Sequence, residues 1–332
     1  MIDRDRLQAL AAQQGPAKGR FRNLYPTPQH GIKDFLRWQW DTRGRFPGHQ
    51  AFPLQEPDLA LLAHPASAPR LTWIGHSTFL FQYSGWNLLT DPVFSERCSP
   101  FSFVGPKRAV PPALSLDQLP PINAVLVSHN HYDHLDKASV SALHAQYGAD
   151  IQWFVPSGVA DWLRKLGVEG VTELGWWESS FHGQVEAFCL PAQKFSGRGT
   201  GDNNLSWGGS WRLEFPAFSL YFAGDTGYAP LFSQIGDVMG PVDLALLPIG
   251  AYEPRWFMSP VHVNPAEAVR IHQEIRARHS VAMHWGTFVL TDEPMDAPPK
   301  ALAAALQEQQ INPGTFRVAQ HGETLLFEER NE

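Results

Sequence analysis

From residue 70 onward, the hydrophobic positions fall in short runs rich in β-branched and aromatic residues, each bounded by Gly, Pro, Asp or Asn. Runs of this length and composition are typical of β-strands. The predicted strands are residues 71–74, 78–83, 86–90, 124–128, 151–155, 185–190, 211–215, 219–223, 244–249, 281–284 and 324–328. Because they do not alternate strictly with helices, we expect an α+β fold of two packed sheets with helices outside.

Helices are predicted where hydrophobic residues recur every three or four positions, over 137–146, 159–166 and 301–309. The clearest helix follows Asn264, which can cap it, with Pro265 in the first turn and Glu267 placed to complete a capping box. We expect this helix to run to about Arg278. Its expected buried positions are Ala268, Ile271 and Ile275.

Residues 1–69 are predicted to form an irregular extension packed on a main domain of residues 70–332. One short helix is expected in the extension, over 32–39, where Ile32, Phe35 and Leu36 form an apolar stripe. We expect this stripe to pack on the protein's own core. The alternative is a lip that faces lipid or a partner.

Composition narrows the class of protein. A net charge of −7 and a pI near 6.0 argue against nucleic-acid binding, which needs basic surface. Two widely separated cysteines, Cys98 and Cys189, predict a reducing compartment and hence the cytoplasm. The charged start of the chain does not read as a signal peptide, and no apolar run is long enough to predict a membrane span.

The strongest chemical signal follows the strand predicted at 124–128. His129, His131, Asp133 and His134 fall within six residues. On an extended segment, side chains two residues apart point the same way, so the first two imidazoles can hold one ion. Asp133 and His134 follow as the chain turns and can reach a second ion. Imidazole with carboxylate suits zinc, and also iron or manganese.

Two further candidate ligands stand at predicted strand ends. Asp225 lies in Gly224-Asp225-Thr226-Gly227 and can bridge two ions, although a turn role is equally consistent with the pattern. His284 follows a strand, where a lone histidine is more often structural. Their weight as ligands therefore depends on the cluster at 129–134.

This pattern resembles the metallo-β-lactamase-fold hydrolases. Further motifs are similar to the branch containing N-acyl-phosphatidylethanolamine-hydrolysing phospholipase D, namely Trp73–Thr78, Leu89–Pro92, Gly105–Arg108, Trp176–Glu178 and Gly250–Trp256. The resemblance runs from about Phe21 to the C-terminus. It implies an αββα sandwich with two zinc ions in a cleft.

The resemblance also implies roles for single residues. His129, His131 and a third histidine would hold the first ion, and Asp133, His134 and His284 the second, with Asp225 bridging. His262 would lie beside the metals and handle the substrate or its leaving group. From the residues alone, His262 reads as the entry to a helix. His76 and Asp91 are candidates to orient the ligands, although a purely structural role is equally consistent with the sequence.

One position departs from the family pattern. Where a third histidine is expected, the chain reads Pro191-Ala192-Gln193-Lys194. A lysine amine is protonated at neutral pH and is a poor ligand. Three interpretations follow: a weak or absent first ion, a carboxylated Lys194 that supplies oxygen ligands, or a Lys194 that swings away while water completes the site. The first is the interpretation we favour.

The resemblance implies a glycerophospholipid substrate with an acylated amine headgroup, and hence contact with a membrane surface. Phe101 and Phe103 can line an acyl-chain groove or belong to the core, and Arg255 can bind phosphate or form an ion pair with Glu253 or another acid. Alternatives are a lactonase or phosphodiesterase for small substrates, and a metal- or lipid-binding protein without turnover. A nuclease is disfavoured by the acidic charge.

Overall fold

The strands predicted from hydrophobic runs are all present and lie in two seven-stranded sheets. The computed structural model describes residues 1–13, 20–28, 30–43, 47–199 and 201–330. The first sheet contains β1 (Arg70–Gly75), β2 (Thr78–Tyr83), β3 (Trp86–Thr90), β4 (Ala124–Leu126), β5 (Gln152–Pro156), β6 (Val171–Leu174) and β14 (Thr324–Leu326). The second contains β7 (Ser179–His182), β8 (Val185–Pro191), β9 (Gly209–Phe215), β10 (Phe218–Phe222), β11 (Val242–Pro248), β12 (Ala277–Met283) and β13 (Phe316–Arg317).

Both sheets are mixed. The first has the order β14-β1-β2-β3-β4-β5-β6, in which β3 to β6 are parallel and the remaining pairs antiparallel. The second has the order β13-β12-β11-β10-β9-β8-β7, in which β10 to β13 are parallel. The helices in the described residues are α1 (Arg4–Gln13), α2 (Ile32–Asp41), α3 (Leu59–Ala63), α4 (Lys137–Tyr147), α5 (Ala160–Arg164), α6 (Leu231–Met239), α7 (Arg255–Met258), α8 (Pro265–Glu274) and α9 (Ala297–Glu308).

Alternation along the strands explains the layers. Phe79 and Phe81 of β2 join the core that contains β10, whereas Leu80 joins a second core with Val140 of α4 and Leu163 of α5. Because successive strand residues face opposite sides, one face of the first sheet packs on the second sheet and the other on helices. The expected αββα sandwich is thereby confirmed.

Two predictions at helices need correction. The capping box at Asn264 and Glu267 is present, but α8 ends at Glu274 and not near Arg278. Arg276 has a positive φ of 55°, which breaks the helix, and β12 begins at Ala277. Helices α6 and α7 and strands β6, β7 and β13 are not predicted from the sequence.

The first 69 residues are more regular than expected. Helices α1 and α3 were not predicted. The stripe of Ile32, Phe35 and Leu36 on α2 does not pack on the core, because all three side chains are exposed. Trp38, on another side of this helix, is the residue that α2 buries, stacked on Phe257 and hydrogen-bonded to Asp292. The division at residue 69 stays a prediction.

None of the helices in the described part of the chain is long and apolar enough to cross a membrane.

Candidate metal centre

The strands of both sheets bring the predicted ligands together at one edge of the sandwich. Asp91 follows β3 and His129 follows shortly after β4 in the first sheet, whereas Asp225 follows β10 and His284 follows β12 in the second. Parallel strands end at the same edge, so polar side chains after them meet there. The predicted ligands His129, His131, Asp133, His134, Asp225 and His284 all lie at this place.

Two of these histidines each contact the same two carboxylates, at what we call the second site. Nε2 of His134 lies 3.2 Å from Oδ2 of Asp133 and 3.2 Å from Oδ2 of Asp225. Nε2 of His284 lies 3.3 Å from Oδ2 of Asp133 and 3.1 Å from Oδ1 of Asp225. Around a tetrahedral ion with ligand distances of about 2.0–2.1 Å, neighbouring ligand atoms are about 3.3 Å apart. The four distances therefore match those between neighbouring ligands of a zinc ion. Among the described residues, ligand atoms that all lie within 4.8 Å of one another are found in two groups that contain His284, namely His76, Asp133, His134 and His284, and Asp225, His262 and His284.

Hydrogen bonding fixes the tautomer of His134. Its Nδ1 lies 2.6 Å from Oδ2 of Asp91, so Nδ1–H donates to that carboxylate. Nε2 of His134 and Oδ1 of Asp225 are buried and make no hydrogen bond within the described residues. A lone pair that faces carboxylate oxygens requires a cation between them, either a proton or a metal ion.

The electrostatics of the second site point the same way. Burial alone would lower the pKa of His134, but the carboxylates of Asp225, Asp133 and Asp91 outweigh it and raise that pKa well above the ordinary value. Burial alone would raise the pKa of Asp225, but His134, His284 and Lys194 hold it well below its usual range. Carboxylates that stabilise a protonated His134 this strongly also stabilise a divalent metal ion in place of that proton.

His129 and His131 face each other beside this site. Nε2 of His129 lies 3.0 Å from Nδ1 of His131 and 3.8 Å from Oδ2 of Asp225. The Ser128 hydroxyl donates to Asp91 at 2.5 Å and lies 2.9 Å from Nδ1 of His129, so Nδ1–H donates to Ser128. Nε2 of His129 then carries a lone pair that points at the site.

The two residues suggested as orienting groups are in place. Asp91 binds His134 directly and His129 through Ser128. Nε2 of His76 lies 3.0 Å from Oδ2 of Asp133. Burial and the neighbouring His284 lower the pKa of His76 to about 3, so it is neutral and donates to this carboxylate.

His262 and Lys194 close the remaining side. Nζ of Lys194 lies 2.9 Å from Oδ2 of Asp225 and 2.8 Å from Nε2 of His262. Because the ammonium only donates, Nε2 of His262 accepts and the proton is on Nδ1. Burial and then Lys194 lower the pKa of His262 well below the ordinary value, so it is neutral.

Three further residues are predicted to bind substrate. Phe101 and Phe103 stack on each other with centroids 5.6 Å apart and are exposed, so their assignment to the core is wrong. Arg255 donates to Glu267 at 2.8 Å and to the carbonyl oxygen of His262 at 2.9 Å. The ion-pair interpretation of Arg255 is therefore confirmed, with Glu267 as the acid, and phosphate binding stays a prediction.

Residues 86–285 match the family model of the beta-lactamase superfamily domain. This chain belongs to the beta-lactamase superfamily. The superfamily match covers β3 to β12 and includes all six predicted metal ligands.

Several relatives extend this similarity. N-acyl-phosphatidylethanolamine-hydrolyzing phospholipase D 1 of Caenorhabditis elegans is 44% identical over 235 residues, which cover 68% of this chain and 66% of that protein. The mitochondrial N-acyl-phosphatidylethanolamine-hydrolyzing phospholipase D of Saccharomyces cerevisiae is 38% identical. The match covers 67% of this chain and 48% of that protein. The chain thus spans from about half to just under two thirds of these named relatives. An uncharacterized protein of Mycobacterium tuberculosis is 43% identical over 88% of this chain and 80% of its own.

Two solved structures share the fold. The isothiocyanate hydrolase from Delia radicum gut bacteria aligns with a TM-score of 0.62 at 20% identity, over 79% of this chain and all of that one. The metallo hydrolase Igni18 of Ignicoccus hospitalis aligns with a TM-score of 0.59 at 20% identity, over 79% of this chain and 99% of that one. A metal-dependent hydrolase of Rubrobacter xylanophilus is 30% identical over 74% of this chain and 94% of that protein, so the chain is related to metal-dependent hydrolases.

Proposed function

We propose that the protein is a phosphodiester hydrolase of the phospholipase D type, acting on N-acyl-phosphatidylethanolamine-like lipids. The products are phosphatidic acid and an N-acyl amine. The four contacts between two histidines and two carboxylates carry the hydrolase part of the proposal. The 44% identity to the nematode phospholipase supports the lipid substrate.

We propose zinc as the metal, because imidazole and carboxylate ligands in tetrahedral spacing suit it, while iron and manganese accept the same ligands. Bound to Asp133, His134, Asp225 and His284, such an ion supplies an activated water near neutral pH and neutralises charge on a phosphodiester. Asp225 contributes one oxygen towards each of the two histidines, which holds its carboxylate at the centre of the site.

His262 is proposed to position the substrate. Its neutral ring carries the proton on Nδ1, and this atom is buried with no hydrogen bond within the described residues. An N–H group in that state can donate to an oxygen of the phosphate or leaving group. A neutral His262 therefore suits orienting the leaving group better than protonating it as an imidazolium.

We propose contact with a membrane through the exposed face of α2 and the neighbouring loop, which contains Phe101 and Phe103. Trp40 is 73% exposed and Phe103 is 80% exposed, and Ile32 and Leu36 are also uncovered. A groove of about 650 Å³ lies between α2 and this loop, lined by Phe35, Trp38, Arg97, Lys107 and Leu290 among others. Apolar side chains with basic residues beside them suit a phospholipid surface.

This arrangement favours the lipid-facing alternative for the stripe on α2. Both cysteines are free and buried, in keeping with a reducing compartment. We therefore propose a cytoplasmic protein with peripheral contact to the inner face of the membrane.

The test is hydrolysis of vesicles that contain N-acyl-phosphatidylethanolamine, with phosphatidic acid and N-acyl amine both measured by mass spectrometry. His284→Ala removes a proposed ligand, and His279→Ala on the same strand is the matched control. We expect the first variant to lose activity and the second to keep it. If only small lactones or soluble phosphodiesters are cleaved, the substrate is a small soluble molecule and not a lipid. Metal binding without any cleavage would indicate a binding protein.

A further inference from the structure

The two halves of the metal centre differ in one respect that the family pattern does not predict. In the second site, Nε2 of His284 and Oδ2 of Asp133 contact each other, but the buried atoms Nε2 of His134 and Oδ1 of Asp225 make no hydrogen bond within the described residues. In the first site, each facing atom already has a partner. Nδ1–H of His131 can donate to the lone pair on Nε2 of His129 across 3.0 Å, and Lys194 donates to Oδ2 of Asp225.

Lys194 is held where it is. Its side chain is only 1% exposed. A Cβ atom added at Gly208 would lie 2.9 Å from Cβ of Lys194, so the backbone of Gly208 packs directly on the lysine stem. The carbonyl oxygen of Gly208 is fixed in turn by the indole N–H of Trp176 at 2.9 Å. The lysine stem is therefore packed against backbone, and its amine is held by Asp225 and His262.

The contacts of the amine also argue against its carboxylation. A carboxylated amine would place negatively charged oxygens just beyond Nζ, which lies 2.9 Å from Oδ2 of Asp225. Two like charges at that distance repel each other in a buried site. The ammonium, by contrast, satisfies both the carboxylate and His262. Of the three interpretations of Lys194, a weak or absent first ion therefore agrees best with the geometry.

We propose that the ammonium of Lys194 takes the place of the first metal ion, so that the chain holds one divalent ion, on Asp133, His134, Asp225 and His284. The inference rests on the proposed metal-dependent function and sets its stoichiometry. A second divalent ion between His129, His131 and Asp225 would lie next to the ammonium and be repelled by it. Lys194 then acts as a positioning residue that fixes Asp225 and His262.

The test is metal content per chain in the full protein, by elemental analysis after dialysis, together with calorimetric titration of the metal-free protein with zinc. The variants are Lys194→His, which restores the imidazole of the family pattern, and Lys194→Met, which removes the charge without adding a ligand. We expect one ion in the wild type, two in Lys194→His and one in Lys194→Met. Any second equivalent in the wild type should bind at least about 100-fold more weakly than the first.

Several results would overturn this inference. Two tight ions in the wild type would do so, as would a second ion that appears on addition of bicarbonate, which would indicate a carboxylated lysine. One ion in a folded Lys194→His would mean that residue 194 does not set the stoichiometry. A wild-type protein that binds no ion would contradict the proposed metal-dependent function itself. A chain with one ion that cleaves no lipid would leave the stoichiometry standing and reject only the substrate.

Discussion

Oδ2 of Asp91 lies 2.6 Å from Nδ1 of His134, and the same oxygen accepts from the Ser128 hydroxyl, which in turn holds His129. One buried carboxylate thus sets the tautomers of two histidines, one beside each half of the metal centre. Such outer carboxylates orient a ligand and raise its basicity.

We expect Asp91→Asn to weaken metal binding about 10- to 100-fold, since the amide no longer attracts the Nδ1 proton of His134 as a carboxylate does. Competition with a chelator of known affinity measures this change. Asp243→Asn is a matched control, because Asp243 accepts from the backbone N–H and the hydroxyl of Ser219, as Asp91 does from Ser128. Equal loss of metal affinity in both variants would contradict the orienting role.

His262→Ala is expected to keep the metal content and to reduce turnover about 100-fold, as is typical when a group that acts on the leaving atom is lost. The physical reason is that His262 contacts Lys194 and lies 3.8 Å from Asp225, but is not one of the four proposed ligands. Steady-state kinetics and elemental analysis on the same preparation test this. A parallel loss of metal would make His262 a ligand.

Trp40→Ser should lower binding to phospholipid vesicles about tenfold, because burying a large apolar side chain contributes roughly 1.5–3 kcal/mol and each 1.4 kcal/mol is a factor of ten. Phe181→Ser is the control, since Phe181 is similarly exposed at 68% but lies on the edge strand β7. Co-sedimentation with vesicles gives both values. If both variants bind as the wild type does, α2 does not contact the membrane.

The imidazole of His321 stacks on Trp73 with centroids 4.1 Å apart, and burial, with a smaller effect of Arg108, lowers its pKa to about 3. The folded state therefore favours the neutral ring. This stabilisation is complete above the unfolded pKa of about 6.5 and is lost as the pH falls towards 3.

Between pH 7 and pH 5, the free energy of unfolding should fall by about 2 kcal/mol more in the wild type than in His321→Gln, which carries no titrating ring. Urea denaturation of both proteins at the two pH values measures this difference. Parallel pH profiles would show that His321 is not the cause.

The hydrophobic pattern predicted both sheets because almost every strand is buried and bounded by turn residues. It could not predict the end of α8, since Arg276 adopts its positive φ in a stretch without Gly or Pro, where its guanidinium donates to the carbonyl oxygen of Gly236. The stripe on α2 was misassigned for a different reason. Periodicity shows that a helix has an apolar face, but not whether that face or Trp38 meets the core.

The candidate ligands were visible because four of them lie within six residues and the others follow strands. The position of the Lys194 ammonium was not visible, because it depends on contacts with Asp225 and His262, 31 and 68 residues away. The exposure of Phe101 and Phe103 was likewise hidden, since an aromatic pair near glycine has the same sequence pattern in a core and on a surface.

The four-ligand set draws on both sheets and on segments 151 residues apart, Asp133 and His284. An ion bound there works as a clasp between the two halves of the sandwich, in addition to any chemistry. Since such a clasp forms only in the folded chain, resistance to heat should rise with the free metal concentration. In a cell that is short of metal, less of the protein would then stay folded, and the folded protein would be less active.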